Sequence, residues 1–311
     1  MSFRLVVASL ATLLSSNTAS AEPLSVPFDF SHAAIGVTVT IRGAPLYMLL
    51  DTGVDPSVID RKRAEALGLT IDRAAGGEAA GMGDAKEAKA FPATIDTLAI
   101  GGRLFHPIDA AAMDMGTLSA RYGHTLDGVL GYSFLTDKIV LIDYPRHTFG
   151  ILDRPADALS MALSCRKHWS IALESTPNDS VPILPVFHFG AISAPIALDT
   201  GSNGGIALYP AALALPGLRD ALIEMGEATY TGARGEAKGK TYMLKVPVGF
   251  GPFALPAGQV ATLETVTGVV DVRIADFGNK LLAAMKLKVL LDYRDRVMTF
   301  YGDCRGTKRV S

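Results

Sequence analysis

The sequence predicts a mainly β protein built as two related halves, and three observations predict it. Leu49-Leu50-Asp51-Thr52-Gly53 returns as Ala197-Leu198-Asp199-Thr200-Gly201, 148 residues later. Val140-Leu141-Ile142-Asp143-Tyr144 returns as Val289-Leu290-Leu291-Asp292-Tyr293, 149 residues later. Short apolar and β-branched runs alternate with turn residues, drawn from 31 Gly and 17 Pro, which is the pattern of short strands rather than long helices. A third landmark, the Gly-rich stretches around Gly81 and Gly232, repeats at nearly the same spacing. Landmarks held at one offset are the mark of a duplicated domain, and each half has a common domain size.

The elements follow in chain order. Met1 to Ala21 reads as a secretory signal peptide: Arg4, an apolar run from Leu5 to Leu14, then Ala19-Ser20-Ala21 as a small-x-small cleavage site. The run is too short to span a bilayer, which needs about 20 apolar residues, so the expectation is an exported chain without a membrane span after cleavage. The first lobe is expected over residues 22–160 and the second over 161–311, with Arg154 to Ser180 as the connection. Val37 to Ile41, Tyr47 to Leu50, Phe91 to Ile100 and Lys138 to Ile142 read as strands of the first lobe. Tyr242 to Phe250 and Val289 to Tyr293 read as strands of the second. Asp60 to Leu67 reads as a helix, with Asp60 as N-cap and Gly68 as the stop, and Leu281 to Lys286 as another.

The composition excludes some functions. With 29 Lys+Arg against 31 Asp+Glu the net charge is −2, without the basic excess of a nucleic-acid binder. The two cysteines, Cys165 and Cys304, number an even pair in a chain expected in an oxidising compartment. They are predicted to form a disulfide between the start of the second half and the chain end, with two unpaired thiols as the alternative. No metal or organic cofactor is called for. Two cysteines without His at ligand spacing make no zinc site. Arg234 to Thr241 ends like a phosphate loop but lacks its first Gly, and Gly81-Met82-Gly83 lacks the third Gly of a dinucleotide loop. There is no G-x-S-x-G elbow and no H-E-x-x-H. The six histidines are scattered, and Trp169 stands alone among polar neighbours. Asp143 and Asp292 repeat, but each ends an apolar strand before a turn and is read as structural. Asp55 is read as an exposed acid.

The chemistry lies in the repeated triplet. An apolar strand carries each Asp inward, Gly53 and Gly201 allow close backbone approach, and the Thr52 and Thr200 hydroxyls are expected to lock their turns through nearby backbone. Two such turns, one per related half, bring Asp51 and Asp199 face to face. Carboxyls that close cannot both ionise, so one proton is shared. The ionised member can then deprotonate a water while the protonated member polarises a carbonyl, which is general acid–base hydrolysis of an amide.

With these residues in view, the chain resembles the retropepsin-like aspartic proteases in an exported, fused two-lobe form. The resemblance rests on Leu49 to Gly53 with Val58-Ile59, on Ala197 to Ser202, and on Asp127-Gly128-Val129-Leu130-Gly131, similar to the family's apolar-apolar-Gly strand. It implies the acid-protease (pepsin/retropepsin-like) fold, two homologous lobes related by a pseudo-two-fold axis, and Asp51 and Asp199 as the catalytic dyad. Thr52, Gly53, Thr200, Gly201 and Ser202 would form the active-site turns. Gly81, Met82 and Gly83 in one lobe, and Gly232 and Ala233 in the other, would belong to flaps over a peptide or protein substrate. Because one chain supplies both acids, a monomer suffices. The sequence departs from the family in two places. Val54 stands where a small or hydroxyl residue is preferred, and Asp276-Phe277-Gly278 replaces the second apolar-apolar-Gly strand. The expected function is an exported aspartic endopeptidase. The alternative is a protease-like scaffold that binds peptides or a partner protein with little or no turnover.

Overall fold

The computed structural model describes residues 23–79, 88–175, 180–264 and 273–305. The signal-peptide segment and the first Gly-rich stretch, Gly81-Met82-Gly83, lie outside them. Three sheets account for nearly all the strands. One belongs to the first half, one to the second, and the third is shared.

The two lobe sheets follow one plan. In the first, Gly36–Ile41 pairs with Ala44–Leu50, which runs parallel to Gly128–Leu130, which pairs in turn with Ser57–Asp60. In the second, Ile183–Phe189 pairs with Ile192–Leu198, which runs parallel to Ala275–Phe277, which pairs with Ile206–Leu208. The order continues alike: Ser57–Asp60 is parallel to Ile108–Met113, and Ile206–Leu208 is parallel to Val260–Glu264. Each half thus wraps a curled sheet around its own apolar interior. Val37, Val39, Leu46, Met48 and Leu50 fill one, and Phe187, Phe189, Ile196, Leu198 and Phe277 fill the other. The alternation along Gly36–Ile41 is why one face turns inward and the other stays polar.

The shared sheet has six strands, three from each half. At its centre Ile139–Asp143 pairs antiparallel with Lys288–Asp292, and Leu141 faces Leu290. These two residues are equivalents in the repeat, so the register itself has two-fold symmetry. Asp143 meets Lys288 there in an ion pair of 2.9 Å, with both side chains under 5% exposed. On the outer edge Val297–Cys304 pairs with Cys165–Ala172, and a disulfide joins Cys165 to Cys304 as predicted.

Most sequence-predicted elements appear, with shifted ends. The helix Arg61–Ala66 is capped by Asp60, whose side chain accepts the Arg63 N–H at 3.0 Å. It ends before Gly68, in the left-handed region at φ +67°. The second helix begins two residues earlier than predicted, at Asn279–Ala284. Phe91 to Ile100 breaks into Lys89–Ile95 and Leu98–Ile100, and Tyr242 to Phe250 breaks before Val248–Phe250. The expected connection is largely ordered: a helix Leu159–Ser164, which contains the expected boundary between residues 160 and 161, leads directly into Cys165–Ala172. Trp169 is not isolated. Its ring lies 5.7 Å from Phe250 and 6.1 Å from Phe300.

Candidate active site

The two triplets meet between the lobes. The Asp51 N–H donates to the Leu130 carbonyl at 3.0 Å, and the Asp199 N–H donates to the Phe277 carbonyl at 3.1 Å. The parallel strand behind each turn therefore fixes its Asp at the strand end. The second lobe keeps this support although its sequence reads Asp276-Phe277-Gly278, because a backbone carbonyl supplies it.

The threonines do not lock their own turns; each reaches into the opposite lobe. Thr52 Oγ1 donates to the Leu198 carbonyl at 2.7 Å and accepts the Thr200 N–H at 3.1 Å. Thr200 Oγ1 donates to the Leu50 carbonyl at 3.0 Å and accepts the Thr52 N–H at 2.9 Å. Four buried hydrogen bonds thus join the turns in a symmetric lattice. The hydroxyls satisfy opposing backbone groups that neither turn could satisfy alone.

Gly53 and Gly201 are required by close approach. A side-chain carbon at Gly53 would lie 2.7 Å from Asp199 Oδ1, and one at Gly201 would overlap the Asp51 carboxyl. Each carboxyl therefore rests on the other lobe's glycine, and oxygens of both lie beside Gly53.

Their surroundings differ. Asp51 Oδ1 accepts one backbone N–H, from Gly53 at 2.6 Å. Asp199 Oδ1 accepts two, from Gly201 at 2.8 Å and Ser202 at 3.3 Å. Burial, then the negative charge of Asp199, holds the Asp51 carboxyl well above the usual range. Burial also raises Asp199, but the hydrogen bond from Asp51 and the two N–H groups oppose the rise. The larger N–H support at Asp199 favours the charge there and the shared proton on Asp51. Val54 has no hydroxyl to offer Asp51. Ser202 supports Asp199 through its backbone, while its hydroxyl accepts the Gly204 N–H at 3.4 Å.

Two residues that sequence reading missed support the second turn. Asn279, fully buried, donates its side-chain amide to the carbonyls of Thr200 at 2.7 Å and Ser202 at 3.1 Å. The Tyr144 hydroxyl, from the first lobe, donates to Asn279 Oδ1 at 2.7 Å. Burial and the charge of Asp199 hold that phenol well above its usual value, so it stays a donor. Its equivalent, Tyr293, packs edge-on against Tyr132 at 5.9 Å, and its hydroxyl has no hydrogen-bond partner among the described residues. The repeat of Tyr144 and Tyr293 was a signal for this pair; nothing in the sequence singled out Asn279.

A long hairpin, Leu222–Gly232 with Gly235–Leu244, turns at Ala233 and Arg234. Ala233 packs against an apolar cluster of the first lobe that holds Met115, Tyr122 and Val129. The hairpin thus reaches from the second lobe to the first. Lys240 and Thr241, from the phosphate-loop-like stretch, lie on its strand, and Lys240 pairs with Glu224 at 2.9 Å. Asp143 and Asp292 cap turns, accepting N–H groups from Arg146 at 3.1 Å and from Arg294 and Asp295 at 3.0 Å. Asp55 is exposed and accepts the Ser180 hydroxyl at 2.7 Å.

Residues 37–134 match a family model described as an aspartyl protease. No curated protein matches the sequence. The matched segment carries the Asp51 triplet, its supporting Gly128–Leu130 strand and most of the first lobe's sheet. The second lobe repeats that sheet order around Asp199. The matched first lobe and the two-lobe β architecture together support a retropepsin-like aspartic protease, the family the chain is similar to over residues 37–134.

Proposed function

We propose that the chain is an exported aspartic endopeptidase that acts as a monomer, with one lobe contributed by each half. The observation that carries this reading is the close approach of the Asp51 and Asp199 carboxyls over Gly53 and Gly201, across the lattice of threonine hydrogen bonds. Asp199 takes a proton from a water held between the carboxyls, and the oxygen attacks the peptide carbonyl. Asp51 donates its proton toward the carbonyl oxygen as the tetrahedral centre forms. Collapse of that centre breaks the C–N bond, with a proton passed to the leaving amine. The unequal N–H support of the two acids favours this division of roles. The hairpin ending at Ala233 supplies backbone edges along which an extended peptide can pair. The disulfide and the predicted signal peptide support export.

A second reading, a peptide-binding scaffold with little turnover, is favoured by Val54 beside Asp51 and by Asp276 in the strand behind Asp199. The experiment separates them. The purified chain is offered a library of internally quenched peptides, beside Asp51→Asn and Asp199→Asn. Cleavage that falls more than about 10³-fold in both variants is the expected result. Cleavage that survives either substitution overturns the dyad, and binding without any cleavage selects the scaffold.

A further inference from the structure

The two lobes carry chemically different side chains at the equivalent position of the strand behind each triplet. In the first lobe, Val129 lies in register with Leu49 on one side and Val58 on the other. It belongs to the apolar cluster of Val58, Met113, Met115, Tyr122 and Leu126, with Val54 at its margin. Its neighbour Leu130 points the other way, into the main core. In the second lobe the same place is held by Asp276, in register with Ala197 and Ala207. Its neighbour Phe277 points into the core, its ring tilted against Phe187 and Phe250. An acid therefore replaces Val129 on the face turned away from the core.

That acid belongs to a polar group. Asp276 Oδ2 accepts the Tyr209 hydroxyl, and the Arg273 guanidinium lies 6.0 Å from the centre of the Tyr209 ring. Asp276 and Arg273 are each under 10% exposed. Burial and the charge of Asp276 hold the Tyr209 hydroxyl far above its usual value, so it remains a donor. The group stands close enough to the dyad for the charge of Asp276 to act on Asp51 and that of Arg273 to act on Asp199.

We propose that this polar group forms a wall beside the dyad and makes the protease select a neutral hydrogen-bonding side chain on the second-lobe side of the scissile bond, and an apolar one on the first-lobe side. The inference rests on the endopeptidase reading and names its substrate class. The wall carries one anion and one cation, so a charged substrate side chain would be desolvated without net compensation. An aliphatic one would cover polar groups and return no hydrogen bond. A carboxamide or hydroxyl can donate to Asp276 and accept from Arg273, the Tyr209 hydrogen being held by Asp276. Sites built to hydrogen-bond a substrate group discriminate strongly against analogues that lack it. Equivalent walls in both lobes would instead give a protease that cuts between two apolar residues.

The test compares two peptides that differ at one residue flanking the cut, Gln against Leu, with an apolar residue on the other flank. The wild-type kcat/KM is expected to favour Gln by about 10-fold or more. Asp276→Val, which installs the first lobe's residue, should reverse the preference. Asp276→Asn, which keeps hydrogen-bonding capacity, should retain it and guards against a misfolded Val variant. Equal cleavage of both peptides by the wild type, or an Asp276→Val ratio that does not move, overturns the proposal. If no peptide is cut, the endopeptidase reading fails, and binding of the same pair to Asp51→Asn by fluorescence anisotropy still reads the wall. Tighter binding of the Gln peptide then upholds it, and equal or weaker binding overturns it.

Discussion

Asp51 and Asp199 carry the same triplet yet have different surroundings, and the difference has measurable consequences. Both carboxyls keep their proton to higher pH in the folded chain than in the unfolded one. The folded state therefore binds more protons once pH rises above the ordinary aspartate value, and stability falls as pH climbs through that window. Asp51→Asn removes the buried charge conflict. We expect its melting temperature at neutral pH to exceed that of the wild type by a few degrees, about 2–6 °C, with the gap closing below about pH 4. Calorimetry across that range checks it, and a variant less stable than wild type at neutral pH contradicts it. The Thr52 hydroxyl, one residue from Asp51, donates one hydrogen bond to the opposite lobe and accepts another. Thr52→Val keeps the shape and leaves the Leu198 carbonyl and the Thr200 N–H unpaired, at about 1–3 kcal/mol each. Denaturant unfolding should show a loss of that order, together with reduced turnover. Thr52→Ser should be close to wild type.

At the scale of elements, the active-site turns work because a parallel strand stands behind each and a glycine lies under the opposing carboxyl. Gly201→Ala places a methyl group against the Asp51 carboxyl. Kinetics should show kcat falling by more than about 10²-fold, with the circular-dichroism spectrum of a folded β protein retained. Much of this was legible in the sequence. The apolar run before each Asp, the repeat spacing and the Asp60 cap are local signals, and local signals survive folding. What was not legible depended on partners distant in the chain. Thr52 bonding Leu198, and Tyr144 bonding Asn279, are contacts between halves, and no pattern near either residue encodes them. Asp276-Phe277-Gly278 looked degraded as a support strand because side chains were read. The support is a backbone carbonyl, indifferent to the side chain. The long segment from Phe91 was misread as one strand because apolar residues resume at Leu98 directly after the two-residue break at Asp96 and Thr97.

At the scale of the whole molecule, the shared six-stranded sheet holds the two turns in register. Its central register is symmetric about Leu141 and Leu290, and the Asp143–Lys288 pair crosses between halves beside it. Removing Lys288 leaves Asp143 only the longer Arg146 ion pair, at 3.4 Å, so Lys288→Met should destabilise the chain, by up to about 3 kcal/mol. Lys288→Met combined with Asp143→Asn, which keeps an oxygen for the Arg146 N–H, should recover part of that loss. The disulfide ties the outer edge of the same sheet across a separation of 139 residues. Replacing both cysteines by Ala should lower stability by about 2–5 kcal/mol and leave kcat near wild type at temperatures where the chain stays folded. The central claim concerns the pair of acids, and its most direct test is the pH dependence of kcat/KM on one cleaved peptide. The account predicts a bell-shaped profile, with its alkaline limb above the ordinary aspartate range as Asp51 gives up its proton, and loss of all activity in Asp51→Asn and Asp199→Asn. A rate that keeps rising through neutral pH, or that persists without either carboxyl, would contradict it.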